Sequence, residues 1–542
     1  MEPLILVLCG SEERAMRPHD HEITANVIPS RSRGRLVAAL AVAASVALAG
    51  TALAQQSMEA KVTELVPALD AYIQNGMKGF DLPGLAMGIV VGDKLVYAKG
   101  FGVEQKGGAP VDAATVFQIG STTKGFLATT MAIAADRDTF TWDQRIVDLY
   151  PGFQLMDPWV TQEFRIYDII AQRSGLPPYA NDTYGMLGAD ETQKIDSLRY
   201  VEPTTSFRST FTYTNITHLV AQRIVAAAMD APDWQTVVAT EIFGPLGMKD
   251  SSLTVEAIEA APDHARGHVW SVGGTREVPF TRLMPYDFGG AGAINSSVED
   301  LARWVRLHLD DGEFEGKRIV SAENLAVTRV PRVGMSDKVS YAMGWIIQST
   351  QNGNITWHNG GTIAFGSFIG FALDKDVGVI VLTNETNVGL PDAIGEWTLD
   401  KLLGNPEVDH VAARLKAAKA ADKAGSRMFD KPADAQPAIP LAPLVGDYAN
   451  PTFGKAVLAA EDDALTVSFT AIGSKLRLDP WSGDVFTVSL VSEGKMQTIA
   501  ENLGPGPLGF AQFRIDGSGK MDRFGLSFAQ ESKEYLFTRS EP

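Results

Sequence analysis

One cysteine, Cys9, occurs in the whole chain, and it lies inside the leader described below. The remainder therefore has no disulfide, no cysteine nucleophile and no thiolate metal site. Long apolar runs are also missing. The best candidate, Leu36 to Ala49, falls short of the ~20 residues that a membrane span requires. Basic residues are outnumbered, 47 Lys and Arg against 65 Asp and Glu, for a formal charge of −18 and a pI near 5.0. Such a surface repels phosphate backbones, so nucleic acid is excluded as a partner. No internal repeat points to a solenoid.

What is present begins at Arg31, Arg33 and Arg35, which precede the apolar run; Ala52-Leu53-Ala54 then leads into Gln55. A basic flank, a short apolar core and a small-residue ending form a secretory signal, predicted to occupy residues 1–54 and to direct the protein to the periplasm. The polar stretch before Arg31 is long for a leader, which makes Met16 an alternative start. No cysteine follows the cleavage point, which argues against a lipid anchor.

The length favours two domains. Val62, Leu65, Val66, Leu69, Tyr72 and Ile73 recur at helical spacing. Leu85–Val91 and Leu95–Gly100 flank Gly92-Asp93 as a hairpin. A mainly helical region follows from Ser121 to about Val225, and strands return at Tyr341–Ile347, Phe365–Leu373 and Val377–Leu382. The pattern predicts an α/β domain over 55–404 whose sheet is completed by distant segments. Residues 405–443, with an Ala/Lys-rich helix at Ala412–Ala424 and a Pro/Ala-rich tail, read as a linker. Beyond Leu444, short alternating runs at Ala456–Leu458, Leu465–Phe469, Lys475–Leu478, Val485–Leu490, Phe510–Ile515 and Phe524–Phe528 predict a small all-β barrel or sandwich over 444–542.

Three sequence elements carry chemistry. Ser121-Thr122-Thr123-Lys124 precedes the apolar run Phe126–Ala135. A serine opening that helix meets free backbone N–H groups, and a lysine three residues on shares its face. Among apolar groups such a lysine loses proton affinity and can deprotonate the serine. Ser492-Glu493-Gly494-Lys495 repeats the spacing in an expected hairpin turn, so the motif alone decides little. Tyr213-Thr214-Asn215 supplies a phenol that ionises more easily beside an ammonium, and an amide that orients substrate. Tyr-x-Asn also occurs at Tyr179 and Tyr448. The third element, His358-Asn359-Gly360-Gly361, puts two glycines at a strand edge, where a substrate backbone can approach and a backbone N–H can serve an oxyanion hole with that of Ser121. Alone, a His-x-Gly triplet is ordinarily a turn.

In this order and spacing, with Tyr213 about ninety residues after Ser121, the three elements resemble the serine β-lactamase and penicillin-binding-protein superfamily, on the pattern of class C enzymes. Arg173-Ser174-Gly175-Leu176-Pro177, Gly289-Gly290-Ala291-Gly292, Gly344-Trp345 and Leu382-Thr383-Asn384 support the resemblance. It covers roughly Val62 to Leu403, and the segment from Leu444 looks like the lipocalin-like domain appended to some relatives. The resemblance implies that Ser121 is acylated, that Lys124 and Tyr213 handle its proton and that Asn215 orients the substrate. It further implies that His358 adjoins Tyr213 or the substrate carboxylate, and that Gly360 and Gly361 bind substrate. It implies no cofactor and no metal, a small-molecule or short-peptide substrate, and a homo-oligomer as one possible assembly. Two departures stand out: His358 where class C β-lactamases usually carry lysine, and Gln172-Arg173 where relatives usually show His-Thr. The leading expectation is a peptidase or amidase on short peptides, including those next to D-residues such as D-alanine in peptidoglycan fragments, or linearised cyclic peptides like microcystin. A carboxylesterase, a β-lactamase and a non-catalytic penicillin-binding sensor are the alternatives. No Gly-x-Ser-x-Gly elbow occurs, so an α/β-hydrolase esterase is excluded.

Overall fold

The computed structural model describes residues 30–540, with side chains from 55 onwards. Cys9 and Met16 lie outside the described residues, as do the side chains of the expected leader and its cleavage site. The backbone is helical from Ser30 to Phe80. Among the described residues, no helix is long and apolar enough to cross a membrane.

An eight-stranded antiparallel sheet organises the first domain. Its order is Lys94–Gly102, Gly84–Val91, Val377–Thr383, Gly366–Ala372, Gly353–Gly361, Ile346–Thr350, Val339–Tyr341 and Val333–Gly334. Early and late segments of the domain thus pair as the second and third strands of the sheet, with Leu85 opposite Thr383 and Val91 opposite Val377. Gly84–Val91, Gly366–Ala372 and Val377–Thr383 are buried at every position, because helices cover both faces. One face carries Val62, Leu69 and Ile73 of the opening helix with Ile394 and Trp397 of the helix Leu390–Leu403. The other carries Val298, Trp304 and Val305 of the helix Val298–Leu309 and Phe126 of the helix Thr123–Asp136. The expected strand Tyr341–Ile347 is two strands: residues 342–345 turn sharply, with Gly344 at φ +73° packed so closely on Lys124 that a Cβ would lie 2.6 Å from the Lys124 carbonyl oxygen.

The second domain is a closed barrel of eight antiparallel strands from Gly446–Asn450 to Glu534–Arg539, each paired with its sequence neighbour. Tyr448 opposite Arg539 and Ala449 opposite Thr538 close it, which leaves no free sheet edge. Sequence alternation found six of these strands and missed the first and last. Phe453, Phe469, Phe524 and Phe537 fill the interior, with Phe524 stacked on Phe537 at 4.7 Å between ring centroids, so the barrel holds a packed core. Between the domains, the helix His410–Met428 exceeds its expected length, because Val411, Leu415 and Ala418 pack against the first domain. Residues 429–441 then lie along the barrel, where Ile439 N donates to Gly483 O at 3.1 Å.

The barrel is seated on the helical lobe of the first domain. Tyr184, Leu187 and Ala189 join its core, and Tyr184 meets Phe453 edge-on at 4.8 Å. Lys495 Nζ donates to Gly188 O at 2.8 Å, and Arg276 donates to the carbonyls of Glu501 and Asn502 at 3.0 Å each. Lys495 therefore does structural work: the second Ser-x-x-Lys lies not in a hairpin turn but in the longer connection that leads into the helix Gln497–Leu503.

Candidate active site

Ser121 sits in a 3₁₀ turn, Gly120–Thr122, that runs directly into the helix Thr123–Asp136, and so precedes the helix by two residues rather than opening it. The tighter turn stacks positions i and i+3. Lys124 is thereby brought over the serine, with Nζ 3.1 Å from Ser121 Oγ. The lysine is fully buried. Its nitrogen also lies 2.8 Å from Asn215 Oδ1 and 2.8 Å from the Ala291 carbonyl. Two of these three neighbours are oxygens that can only accept. An uncharged amine has two N–H bonds for them, and its lone pair then faces the serine hydroxyl. Burial lowers the Lys124 pKa to about 7, against a smaller opposing pull from Asp182, so the uncharged form is well populated near neutrality.

The Gly289-Gly290-Ala291-Gly292 loop exists to present that carbonyl. Gln222 Oε1 accepts from Gly290 N at 2.6 Å, and Gly289 adopts φ +44° where a Cβ would strike the Gln222 amide. Gln172, the departure from the usual histidine, fastens the next element. Its side chain is buried, with Oε1 accepting from Thr214 N at 2.7 Å and Nε2 donating to Thr214 O at 3.1 Å. Tyr213 and Asn215 flank the residue so held. Beside it, Arg173 and Arg208 share the buried carboxylate of Asp168.

Tyr213 turns its face to the lysine, with Nζ 4.8 Å from the ring centroid, and lines the same cavity as Ser121. Enclosure raises its pKa well above the ordinary phenol value, and Tyr341, Tyr179 and Asp182 add to the rise. The expectation of an easily ionised phenol is thus corrected, because burial outweighs a neighbouring amine that is itself half neutral. Tyr213 keeps its proton and is suited to donate it.

His358 is buried, and its Nε2 lies 3.0 Å from the hydroxyl of the fully buried Tyr341. Burial first, and Lys124 second, hold its pKa down at about 3. It is therefore a neutral ring, without the charge that would anchor a substrate carboxylate. The strand Gly353–Gly361 pairs with Gly366–Ala372 from Thr356 to Gly361, but its other partner ends at Trp357 opposite Ile346. Residues 358–361 thus offer a free edge. Thr362 N donates to Phe365 O, so the adjacent pair Gly361 and Gly366 is of the non-bonded kind and Gly361 N–H points away from its partner strand. Gly360 and Gly361 back onto the residues before Ser121: a Cβ on Gly360 would lie 1.9 Å from Ile119 O, and one on Gly120 would lie 2.8 Å from Gly361 N. Only glycine fits at positions 120 and 360.

Ser121, Tyr213, Asn215, His358 and Gly361 line one cavity of about 950 Å³. Tyr179 of the second Tyr-x-Asn lies on its wall, whereas Tyr448 of the third is in the barrel core. Sequence reading missed Gln172 as a clamp, Tyr341 as the partner of His358, Asp182, and the barrel residues Asn502, Leu503, Gln530 and Glu531 that complete the wall. Among the described residues, no cluster of three or more His, Cys, Asp or Glu is arranged to hold a metal.

Residues 69–403 match the Beta-lactamase family, which is more than half of the chain. The chain belongs to that family. It is accordingly a serine hydrolase, and residues 430–539 match a domain of unknown function, DUF3471. Among relatives of this β-lactamase-family hydrolase, an unguisins hydrolase of Aspergillus campestris is 25% identical over 487 residues, covering 84% of this chain and 88% of that protein. Penicillin-binding protein 4 of Amycolatopsis lactamdurans is 26% identical over 380 residues, covering 68% and 93%. Two solved structures share the fold. An octameric penicillin-binding protein homologue from Pyrococcus abyssi has TM-score 0.55 at 21% identity, covering 87% of this chain and 100% of that one. A class C β-lactamase from Rhodobacter sphaeroides has TM-score 0.51 at 20% identity, covering 66% and 99%.

Proposed function

We propose that this serine hydrolase forms an acyl-enzyme at Ser121 and cleaves amide bonds of short peptides, including bonds next to D-residues. The placement of Lys124 Nζ, held by two obligate acceptors with its third position on Ser121 Oγ, carries the proposal. Ser121 Oγ attacks the substrate carbonyl as its proton passes to Lys124 Nζ. The oxyanion is held by the backbone N–H groups of Ser121 and Gly361. Tyr213 then gives its proton to the departing amine and regains one from Lys124. The acyl ester is hydrolysed by water through the reverse transfers.

A peptide substrate is supported by the free edge at residues 358–361, which suits an added strand, and by a cavity at the upper end of the usual size range. Relatives named as an unguisins hydrolase and a penicillin-binding protein support the coarser reading of a hydrolase. Export to the periplasm is part of the same proposal and rests on the basic flank, apolar core and Ala-Leu-Ala ending before Gln55. A homo-oligomer is also proposed, supported by the octameric Pyrococcus abyssi homologue. Acylation and turnover with one D-alanyl peptide, one ester and one cephalosporin test the substrate class. Fastest turnover of the peptide is expected; an ester or cephalosporin preferred by a large factor would replace the reading with carboxylesterase or β-lactamase.

A further inference from the structure

Asp182 belongs to no motif, yet its carboxylate Oδ2 accepts from Asn215 Nδ2 at 2.6 Å in the wall of the cavity. Burial raises the Asp182 pKa to about 7; once ionised its carboxylate can only accept, and Asn215 then lies between it and Lys124, which must donate to it. The amide then has one permitted orientation, oxygen toward Lys124 and nitrogen toward Asp182. A flipped amide would donate an N–H to the neutral Lys124 amine and occupy the lone pair that Ser121 needs.

The neighbours of Asp182 are gripped by the barrel. Thr183 N donates to Glu531 Oε1 at 2.7 Å. Asn181, in the left-handed region at φ 59°, has Oδ1 2.9 Å from the Tyr535 hydroxyl, which also reaches Glu531 Oε2. We propose that Asp182 is a positioning residue for Ser121 acylation: it locks the Asn215 amide so that Lys124 keeps its lone pair for the serine proton, and the barrel's Glu531 and Tyr535 hold it in place. The proposal rests on the Ser121 acyl-enzyme reading above.

The groups facing Asp182 are Lys124, Lys194, Glu531, Tyr179, Tyr213 and Tyr535. His218 and His358 also face Lys124 and are held neutral by burial. Asp182 attracts the proton of Lys124, so removing its charge makes the lysine easier to deprotonate. Asp182 is itself raised to about 7 by burial, so the wild-type acid limb belongs to the Lys124–Asp182 pair; without that carboxyl only Lys124 titrates, and the limb moves to lower pH. An altered fold would not produce that shift.

The test is the rate of Ser121 labelling by a fluorophosphonate against pH, in the full chain and in Asp182→Ala, Asp182→Asn, Glu531→Ala and Asp182→Ala/Glu531→Ala. Asp182→Ala is expected to slow the plateau rate about tenfold or more, the scale of a misplaced reacting group. Asp182→Asn, which retains an acceptor for Asn215, is expected to recover part of the rate while its acid limb stays shifted to lower pH. Glu531→Ala should slow labelling too, and the double variant no more than Asp182→Ala alone. Wild-type rates in Asp182→Ala, or an unshifted limb in Asp182→Asn, would overturn the proposal while leaving the Ser121 reading intact. Should Asp182→Ala not fold, the limb of Asp182→Asn decides. Labelling that persists in Ser121→Ala would instead sink the underlying reading.

Discussion

Gln172 holds Thr214 from both sides of its peptide, accepting from its N–H at 2.7 Å and donating to its C=O at 3.1 Å. Tyr213 and Asn215 therefore inherit their positions from a residue outside the motif. Gln172→Ala would strip two buried backbone groups of their partners, at about 1–3 kcal/mol each. A lower melting temperature and a reduced kcat are expected together. An unchanged kcat in a folded Gln172→Ala protein would show that the clamp does not set the site.

A fluorophosphonate should add mass to Ser121 and to no other serine, Ser492 included. Ser121→Ala should abolish labelling and turnover without harm to the fold, because Ser121 caps no helix. Intact-mass measurement and peptide mapping decide it; a label on Ser492 would overturn the assignment.

The pH dependence follows from Lys124. Its pKa is lowered to about 7 by burial, and the reaction needs the uncharged amine. kcat/KM should therefore rise through about pH 7 and level off above it, until a second group titrates. Lys124→Arg, which cannot lose its proton, should remove acylation at every pH. A profile flat from pH 5 to 8 would exclude Lys124 as the proton acceptor.

His358, neutral down to about pH 3, supplies shape and a hydrogen bond to Tyr341 in place of charge. His358→Ala is expected to slow esters with and without a terminal carboxylate by similar factors. A loss confined to carboxylate-bearing substrates would restore the anchoring role expected from sequence.

Trypsin should nick the chain first after Lys423 or Arg427, where exposed residues at the end of the helix His410–Met428 lead to the barrel, whereas Pro432 protects Lys431. The two fragments should stay together on gel filtration, because the barrel core includes Tyr184 and Leu187 of the first domain. Fragments that separate would show that the seat is weak.

Local pattern was enough to bring out much of this protein. A serine followed three residues on by lysine, then Tyr213-Thr214-Asn215 and His358-Asn359-Gly360-Gly361, named residues that meet around Ser121, because each motif is short and its residues sit together on one turn or strand. Alternation of apolar and polar residues likewise marked six barrel strands, since a period of two depends only on neighbours in sequence. Other features depended on contacts across hundreds of residues. Asp182 gains its place from Asn215 and from a barrel loop at Glu531, more than three hundred positions away, and no short spacing records that meeting. The protonation states were decided in the same way. Tyr213, expected to ionise readily beside an ammonium, is instead enclosed, and the cost of burying its phenolate exceeds any help from its neighbour. Sequence names the titratable groups; only the packed structure sets how much water each one loses.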